Sequence, residues 1–267
     1  MDESTTRIRD CLKALKLPIM QKILDQELAR AVTENTPASS LLLRLLEAEV
    51  EEARSRRIER RIRQSGLPER KLLSDFDFAF QKSIDKRQIL EIATLSFVER
   101  KQGIILAGSS GTGKSYIAKA LLLIGCSRLY TCRYTTASNM LSNLMASLCD
   151  GTLDKALKTY TRPQILVIDE VGFDRIEQES ARNAAFFFKV IDARYCKAST
   201  IVTCNIDFKE LGDYLGDPVI TTSLVDRMVH HSIIIHIDGP SYRMHESKKL
   251  NRSARKETPN QSEVSHD

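Results

Sequence analysis

Gly103-Ile104-Ile105-Leu106-Ala107-Gly108-Ser109-Ser110-Gly111-Thr112-Gly113-Lys114-Ser115 decides the fold. An apolar run enters the glycines, and a helical pattern, Tyr116-Ile117-Ala118-Lys119-Ala120-Leu121-Leu122-Leu123, leaves them. Strand, glycine-rich turn and helix form the context in which G-x-x-x-x-G-K-[ST] cradles phosphates. Glycines let the backbone wrap an anion and turn several N–H groups inward, and the helix N-terminus adds positive potential there. The expected phosphate-binding residues are Gly108, Ser109, Ser110, Gly111, Thr112, Gly113, Lys114 and Ser115. Lys114 would reach the β- and γ-phosphates, and the Ser115 hydroxyl would face Mg²⁺. The pattern implies a nucleoside-triphosphate site.

The chain has 267 residues, enough for one large domain or a core with a small appendage. Its 42% hydrophobic content supports a real core, and 40 basic against 35 acidic residues leave a net charge of +5. That balance is compatible with a nucleic-acid partner without demanding one. Cys11, Cys126, Cys132, Cys149, Cys196 and Cys204 show no C-x-x-C spacing, and the expectation is reduced, mostly buried thiols. Charged residues crowd the N-terminus before any apolar run, and no stretch is apolar enough to span a bilayer. The reading is a cytoplasmic protein without membrane association.

Upstream of the glycine loop the pattern is helical. Ile8, Leu12 and Leu15 share one helical face before Pro18, and Leu24, Leu28 and Ala31 line a second helix. A long third helix runs from Leu41 to about Ser65, with Ser39 or Ser40 as candidate caps. Residues 54–71 carry eight basic side chains against Glu59 and Glu69, a local +6. Ile58 and Ile62 share a face there, with Arg56, Arg60 and Arg63 opposite. An arginine ridge on an apolar anchor suits a phosphate backbone, whereas a solvated charged face is the ordinary fate of such runs; both readings stay open. Downstream, strand and helix patterns alternate, which predicts a five-stranded parallel sheet with strands near 103–107, 129–134, 165–169, 200–204 and 232–237. The expected domains are a helical 1–70, an α/β ATPase domain over 71–245 and a disordered polar tail over 246–267.

Ile165-Leu166-Val167-Ile168-Asp169-Glu170 is an apolar strand ending in two carboxylates, about 55 residues after the loop. The C-terminal edge of a parallel sheet faces the ligand crevice. There Asp169 would hold Mg²⁺, and Glu170 would deprotonate the attacking water. Asn205 ends the buried run Ser199–Cys204. If that strand lies between the other two, Asn205 can align the water; otherwise it caps a turn. Arg227 and Arg243 could meet spreading phosphate charge, but composition selects neither from the other arginines. His230 and His231 read as solvated or packed.

With these residues placed, the chain resembles the IstB family of transposition helper ATPases, relatives of DnaC-type helicase loaders in the AAA+ class. The resemblance covers roughly residues 7–245. It rests on Arg56-Arg57-Ile58-Glu59-Arg60-Arg61, Asp75-Phe76-Asp77, the glycine loop, Ile168-Asp169-Glu170-Val171-Gly172-Phe173 and Thr203-Cys204-Asn205. Leu224-Val225-Asp226-Arg227-Met228-Val229-His230-His231 with Ser241-Tyr242-Arg243 is its most specific part. It implies a P-loop AAA+ core behind a small all-α domain, with Asn205 as sensor, Arg227 as an arginine acting in trans and Arg243 as a second sensor in cis. A helical insert at about 137–160 resembles that of initiator-type members, which implies open helical assemblies. Two departures concern Leu211, where many relatives carry tryptophan, and Gly239-Pro240, where Gly-Glu is commoner.

The resulting expectation is an ATP- and Mg²⁺-dependent helper of an insertion-sequence transposase. Its partners would be double-stranded DNA through Arg56, Arg57, Arg60, Arg61 and Arg63, the transposase of the same element, and further copies of itself. Oligomerisation, DNA or transposase would stimulate hydrolysis. A helicase loader is the nearest alternative, a small-molecule P-loop kinase and an idle nucleotide clamp the more distant ones.

Overall fold

The computed structural model describes residues 3–172, 181–205 and 218–247. Its contacts divide the chain into two units, Met1–Arg60 and Arg61–Asp267.

The first unit is built from α1 (Glu3–Ala14), α2 (Pro18–Thr33) and most of α3 (Ala38–Ser65). Pro18 occupies the first position of α2, where a missing N–H costs no helical hydrogen bond. Glu49 of α3 closes the same helix start, accepting from the Ile19 and Met20 amides at 2.8 and 3.0 Å. A carboxylate at a helix N-terminus satisfies orphan donors and complements the dipole. Leu12, Met20, Leu24 and Leu45 form a small core, flanked by Leu17, Ile23, Leu28 and Leu41. The expected α1 face is only partly used. Leu12 is buried, but Ile8 and Leu15 stay exposed, because Leu15 lies beyond the helix end and the small core covers a single turn of it. Ser39 and Ser40 do not cap α3: the helix begins at Ala38, and the Pro37 carbonyl already accepts from Ser40 and Leu41.

In the second unit, α4 (Lys86–Ile92) and α5 (Ser96–Glu99) precede β1 (Gly103–Ala107). There follow α6 (Lys114–Ser127), β2 (Cys132–Thr136), α7 (Ala137–Cys149), α8 (Leu153–Thr161) and β3 (Ile165–Val171). Then come α9 (Ala181–Arg194), β4 (Ser199–Cys204), α10 (Pro218–His230), β5 (Ser232–His236) and a helical turn over 242–247. All five strands are parallel, in the order β2-β3-β4-β1-β5. Buried on both faces, β1 and β3 read as continuous apolar runs, as central parallel strands should. Because β4 lies between β1 and β3, three strand ends meet side by side beneath the glycine loop.

Strand β2 starts three residues later than the sequence pattern predicts. Leu129 takes φ 65°, and the Leu129 and Tyr130 amides bond the Cys126 and Gly125 carbonyls, a left-handed close to α6 that delays the strand. The insert helices fall where expected. All six cysteines are free, but only Cys126, Cys132 and Cys204 are buried; Cys11, Cys149 and Cys196 sit on helix or turn surfaces, so the expectation of mostly buried thiols is corrected. No helix among the described residues is long and apolar enough to cross a membrane. Phe173, Leu211 and the tail beyond residue 247 lie outside the described residues.

Candidate functional site

The glycine loop leaves β1 and runs straight into α6, whose first residue is Lys114. Thr112 ties the loop to itself, its hydroxyl donating to the Ser109 carbonyl at 2.8 Å, while Gln81 Nε2 donates to the Thr112 carbonyl at 3.0 Å. The Phe76 ring stands so close to Gly113 that a β-carbon there would meet it at 2.7 Å. Lys114 curls back over the loop, its ammonium donating to the Gly108 and Ser109 carbonyls at 2.7 and 2.6 Å. Burial holds the Lys114 pKa below its ordinary value; the Asp169 carboxylate opposes that push, and Arg243 adds to it. A γ-phosphate would replace those carbonyls with a full negative charge.

Asp169 lies almost wholly buried at the end of β3. The Ser115 hydroxyl donates to its Oδ1 at 2.8 Å, Thr203 Oγ1 to the same oxygen at 2.5 Å, and the Tyr134 hydroxyl to Oδ2 at 2.6 Å. Burial first, and then that bond to Asp169, push the Tyr134 phenol well above its ordinary value. Ser115 and Asp169 are a hydroxyl and a carboxylate brought together from opposite ends of the motif, a hard-oxygen donor pair that fits Mg²⁺.

Adjacent strand residues normally point to opposite faces. Here the pairing of β3 with β4 steps from Ile168↔Val202 to Val171↔Cys204, so Asp169 and Glu170 together oppose Thr203. Glu170 absorbs that bulge with φ 62°, an uncommon conformation for a non-glycine residue. Its amide donates to Asp169 Oδ1 at 3.1 Å and to Thr203 Oγ1 at 3.0 Å. The bulge sends Asp169 inward to Ser115 and leaves the Glu170 side chain exposed in the cleft.

That cleft, about 470 Å³, runs along the loop from Ser110 to Ser115 and is also lined by Phe76, Glu170, Thr203, Asn205 and Arg243. Asn205 follows β4, between the two chemical strands as its expected role requires, and its Oδ1 has no hydrogen-bond partner among the described residues. Arg227 does not line the cleft of its own chain. It lies on α10, its Nε paired with Asp192 at 2.8 Å. Arg56, Arg57, Arg60 and Arg63 are exposed on α3 and Arg61 is half-buried there; Ile62 is buried and Ile58 half-buried, as the anchoring face requires. Arg56 is engaged by Glu49 at 3.3 Å and Glu52 at 3.8 Å.

Sequence reasoning missed Tyr134, the hydroxyl of Thr203 and Gln81. Thr203 carries a local signal, a hydroxyl residue following the apolar pair Ile201-Val202 and standing two before Asn205. Tyr134 and Gln81 reach the site through non-local contacts that carry no local signal.

The family model described as IstB-like ATP binding protein matches residues 10–250. The chain is 38% identical over 251 residues to the ATP-binding protein of insertion sequence IS5376 of Geobacillus stearothermophilus, covering 94% of this chain and 98% of that one. It is 32% identical over 248 residues to the ATP-binding protein of insertion sequence IS21 of Pseudomonas aeruginosa, covering 93% and 92%. Among solved structures, DnaI aligns with TM-score 0.53 at 23% identity over 63% of this chain and 91% of that one. AMPPCP-bound DnaA from Aquifex aeolicus aligns with TM-score 0.53 at 20% identity, over 71% and 57%. At such identities the likeness is one of fold, a P-loop AAA+ core.

Proposed function

The chain belongs to the IstB-like ATP-binding proteins of insertion sequences, and from that membership we propose that it is an ATP-hydrolysing, DNA-binding helper of the transposase of its own element. The observation that carries the chemical part is the Ser115–Asp169 contact of 2.8 Å beneath the glycine loop, with the Glu170 carboxylate open to the same cleft. The loop amides and Lys114 bind the triphosphate, and Ser115 and Asp169 would hold Mg²⁺, which would supply Lewis-acid stabilisation of phosphate charge. Glu170 orients a water and takes its proton as the water oxygen bonds to the γ-phosphorus; the bridging P–O bond breaks and ADP carries away the electron pair. Asn205 steadies that water. Arg243, in the cleft of the same chain, meets the phosphates in cis, and Arg227 of a neighbouring copy meets the γ-phosphate in trans, where a guanidinium stabilises charge spreading over the transition state.

ATP bound between copies orders an open helical assembly, and hydrolysis releases it. The helical 1–70 region contributes the DNA and partner contacts, through Arg57, Arg60, Arg61 and Arg63 and with Arg56 already tied to Glu49. A protein that neutralises several phosphates this way loses affinity steeply with salt.

The test uses two variants. Lys114→Ala should lose ATP binding, and with it ATP-dependent assembly on duplex DNA. Glu170→Gln should bind ATP and assemble but release phosphate at least about a hundredfold more slowly. If Lys114→Ala assembles on DNA equally well with and without ATP, the coupling is wrong. Retention of a replicative helicase instead of the transposase in a pull-down would transfer the engine to a different client.

A further inference from the structure

Arg227 is held in its own chain by three unlike contacts. Its Nε pairs with the Asp192 carboxylate, 2.8 Å from Oδ1, Nη1 donates to the Ser223 carbonyl at 3.2 Å, and the guanidinium carbon lies 4.8 Å from the Phe188 ring centroid. Phe188 and Asp192 stand one turn apart on α9 and so present one face to α10. The three phenylalanines of that helix divide sharply: Phe186 and Phe187 are buried in the core, whereas Phe188 is only half-buried and meets the guanidinium.

A planar guanidinium gripped on one edge and one face keeps a single orientation. Nη2 makes no hydrogen bond among the described residues, so one donor edge remains to be offered outward. The arrangement adds little stability, because the pair is open to water, with side-chain exposures of 32% and 49%, where solvent screens the attraction. What it does instead is remove rotamer freedom. A free arginine side chain carries substantial rotamer entropy, which would otherwise be lost on reaching a phosphate in another copy.

We propose that Phe188 and Asp192 are positioning residues that pre-set the Arg227 guanidinium for the γ-phosphate of the adjacent copy. This rests on the trans role given to Arg227 above. Losing the holder lowers turnover at the neighbouring site without changing that site's own grip on ATP, since the loop and Lys114 are untouched.

Mixed assemblies test it. Arg227→Ala copies keep intact nucleotide sites and act as receivers. Glu170→Gln copies bind ATP without hydrolysing it and act as donors of Arg227, so mixing two inactive proteins should restore phosphate release. Donors also carrying Phe188→Ala or Asp192→Ala should restore it roughly fivefold less well, in kcat and not in KM for ATP. Donors carrying Phe188→Trp, which keeps a ring, or Asp192→Asn, which keeps an oxygen facing Nε, should restore it better than the alanine donors. Equal restoration by the alanine and conservative donors would overturn the positioning role. Failure of the plain Glu170→Gln donor to restore anything would instead overturn the trans role itself. If Phe188→Ala does not fold, the surface pair Asp192→Ala and Asp192→Asn carries the comparison alone.

Discussion

The Thr203 hydroxyl stands between the two carboxylate residues at the end of β3, donating to Asp169 Oδ1 at 2.5 Å and accepting from the Glu170 amide at 3.0 Å. A hydroxyl has one proton to give and lone pairs to receive, so both roles are filled at once. It therefore braces the bulge that turns Asp169 inward and Glu170 outward.

Thr203→Val keeps the shape and removes the brace. Glu170 N–H loses one of its two acceptors, and Asp169 loses a donor in a buried site, at a cost of about 1–3 kcal/mol. We expect ATP hydrolysis to fall at least about tenfold while ATP binding changes little, because the loop is untouched. Thr203→Ser should stay close to the parent. Equal hydrolysis in valine and serine variants would remove Thr203 from the account.

Tyr134 gives a pH signature. The fold favours its neutral phenol, chiefly through burial and then through the bond to Asp169, so its folded pKa lies above the ordinary 10.0. The unfolded chain releases that proton from about pH 10 upward while the folded chain retains it. Tyr134 therefore contributes stability that is complete below pH 10 and shrinks as the pH climbs beyond it. Tyr134→Phe should lower stability by about 1–3 kcal/mol at pH 7 and show a shallower loss between pH 10 and 12. Urea melts of both proteins across that range read the difference, and parallel curves would contradict it.

Two loop glycines should differ in how badly they tolerate alanine. A β-carbon at Gly108, where φ is 134°, would lie 2.1 Å from the Ile237 carbonyl oxygen, and that backbone is fixed by the Ile237 amide bonding Ala107 at 2.8 Å. At Gly111, with φ 79°, the obstacle is the Ser241 hydroxyl at 2.2 Å, the end of a side chain. Gly108→Ala should abolish ATP binding or folding outright. Gly111→Ala should be milder, and Ser241→Ala in the same chain should recover part of the loss, since the hydroxyl clash goes and the left-handed strain and a β-carbon contact at 3.0 Å remain. Calorimetric ATP binding ranks the three variants, and an inverted ranking would reject this geometry.

Much of the site is written locally, and that part was legible. Glycine spacing after an apolar run, and two carboxylates ending another, are signals contained in a few residues, so β1, α6 and β3 fall where the pattern puts them. What escaped depends on distant partners. Tyr134 matters because β2 pairs with β3 so that Thr135 faces Ile168, and no window of sequence around residue 134 contains that register. The bulge at Asp169–Glu170 needs the facing strand to be seen. Leu129 looks like strand by composition, yet it closes α6 in a left-handed turn, because the helix end needed its orphan carbonyls met. Ile8 and Leu15 show the converse: a helical period announces an apolar face but not how much neighbouring surface there is to cover it.

Arg194 closes the account of buried charge, because it is a cation almost fully enclosed without a carboxylate among the partners described. Its Nε donates to Thr200 Oγ1 at 2.9 Å, Nη1 to the Tyr160 and Pro163 carbonyls at 2.9 and 2.7 Å, and Nη2 to the Ser199 carbonyl at 2.5 Å. Burial pushes its pKa down to about 9, which still leaves it charged at pH 7. The compensation is dipolar: Tyr160 lies in the last turn of α8, whose unpaired carbonyls form the negative end of that helix. The fork thus joins the end of α8 to the start of β4. Arg194→Lys keeps the charge but offers one nitrogen where three now bond, so charge alone cannot restore the joint. Both Arg194→Lys and Arg194→Met should lose about 3 kcal/mol or more, measured as a lower urea midpoint with an unchanged slope. A lysine variant as stable as the parent would mean that the charge matters and the fork does not.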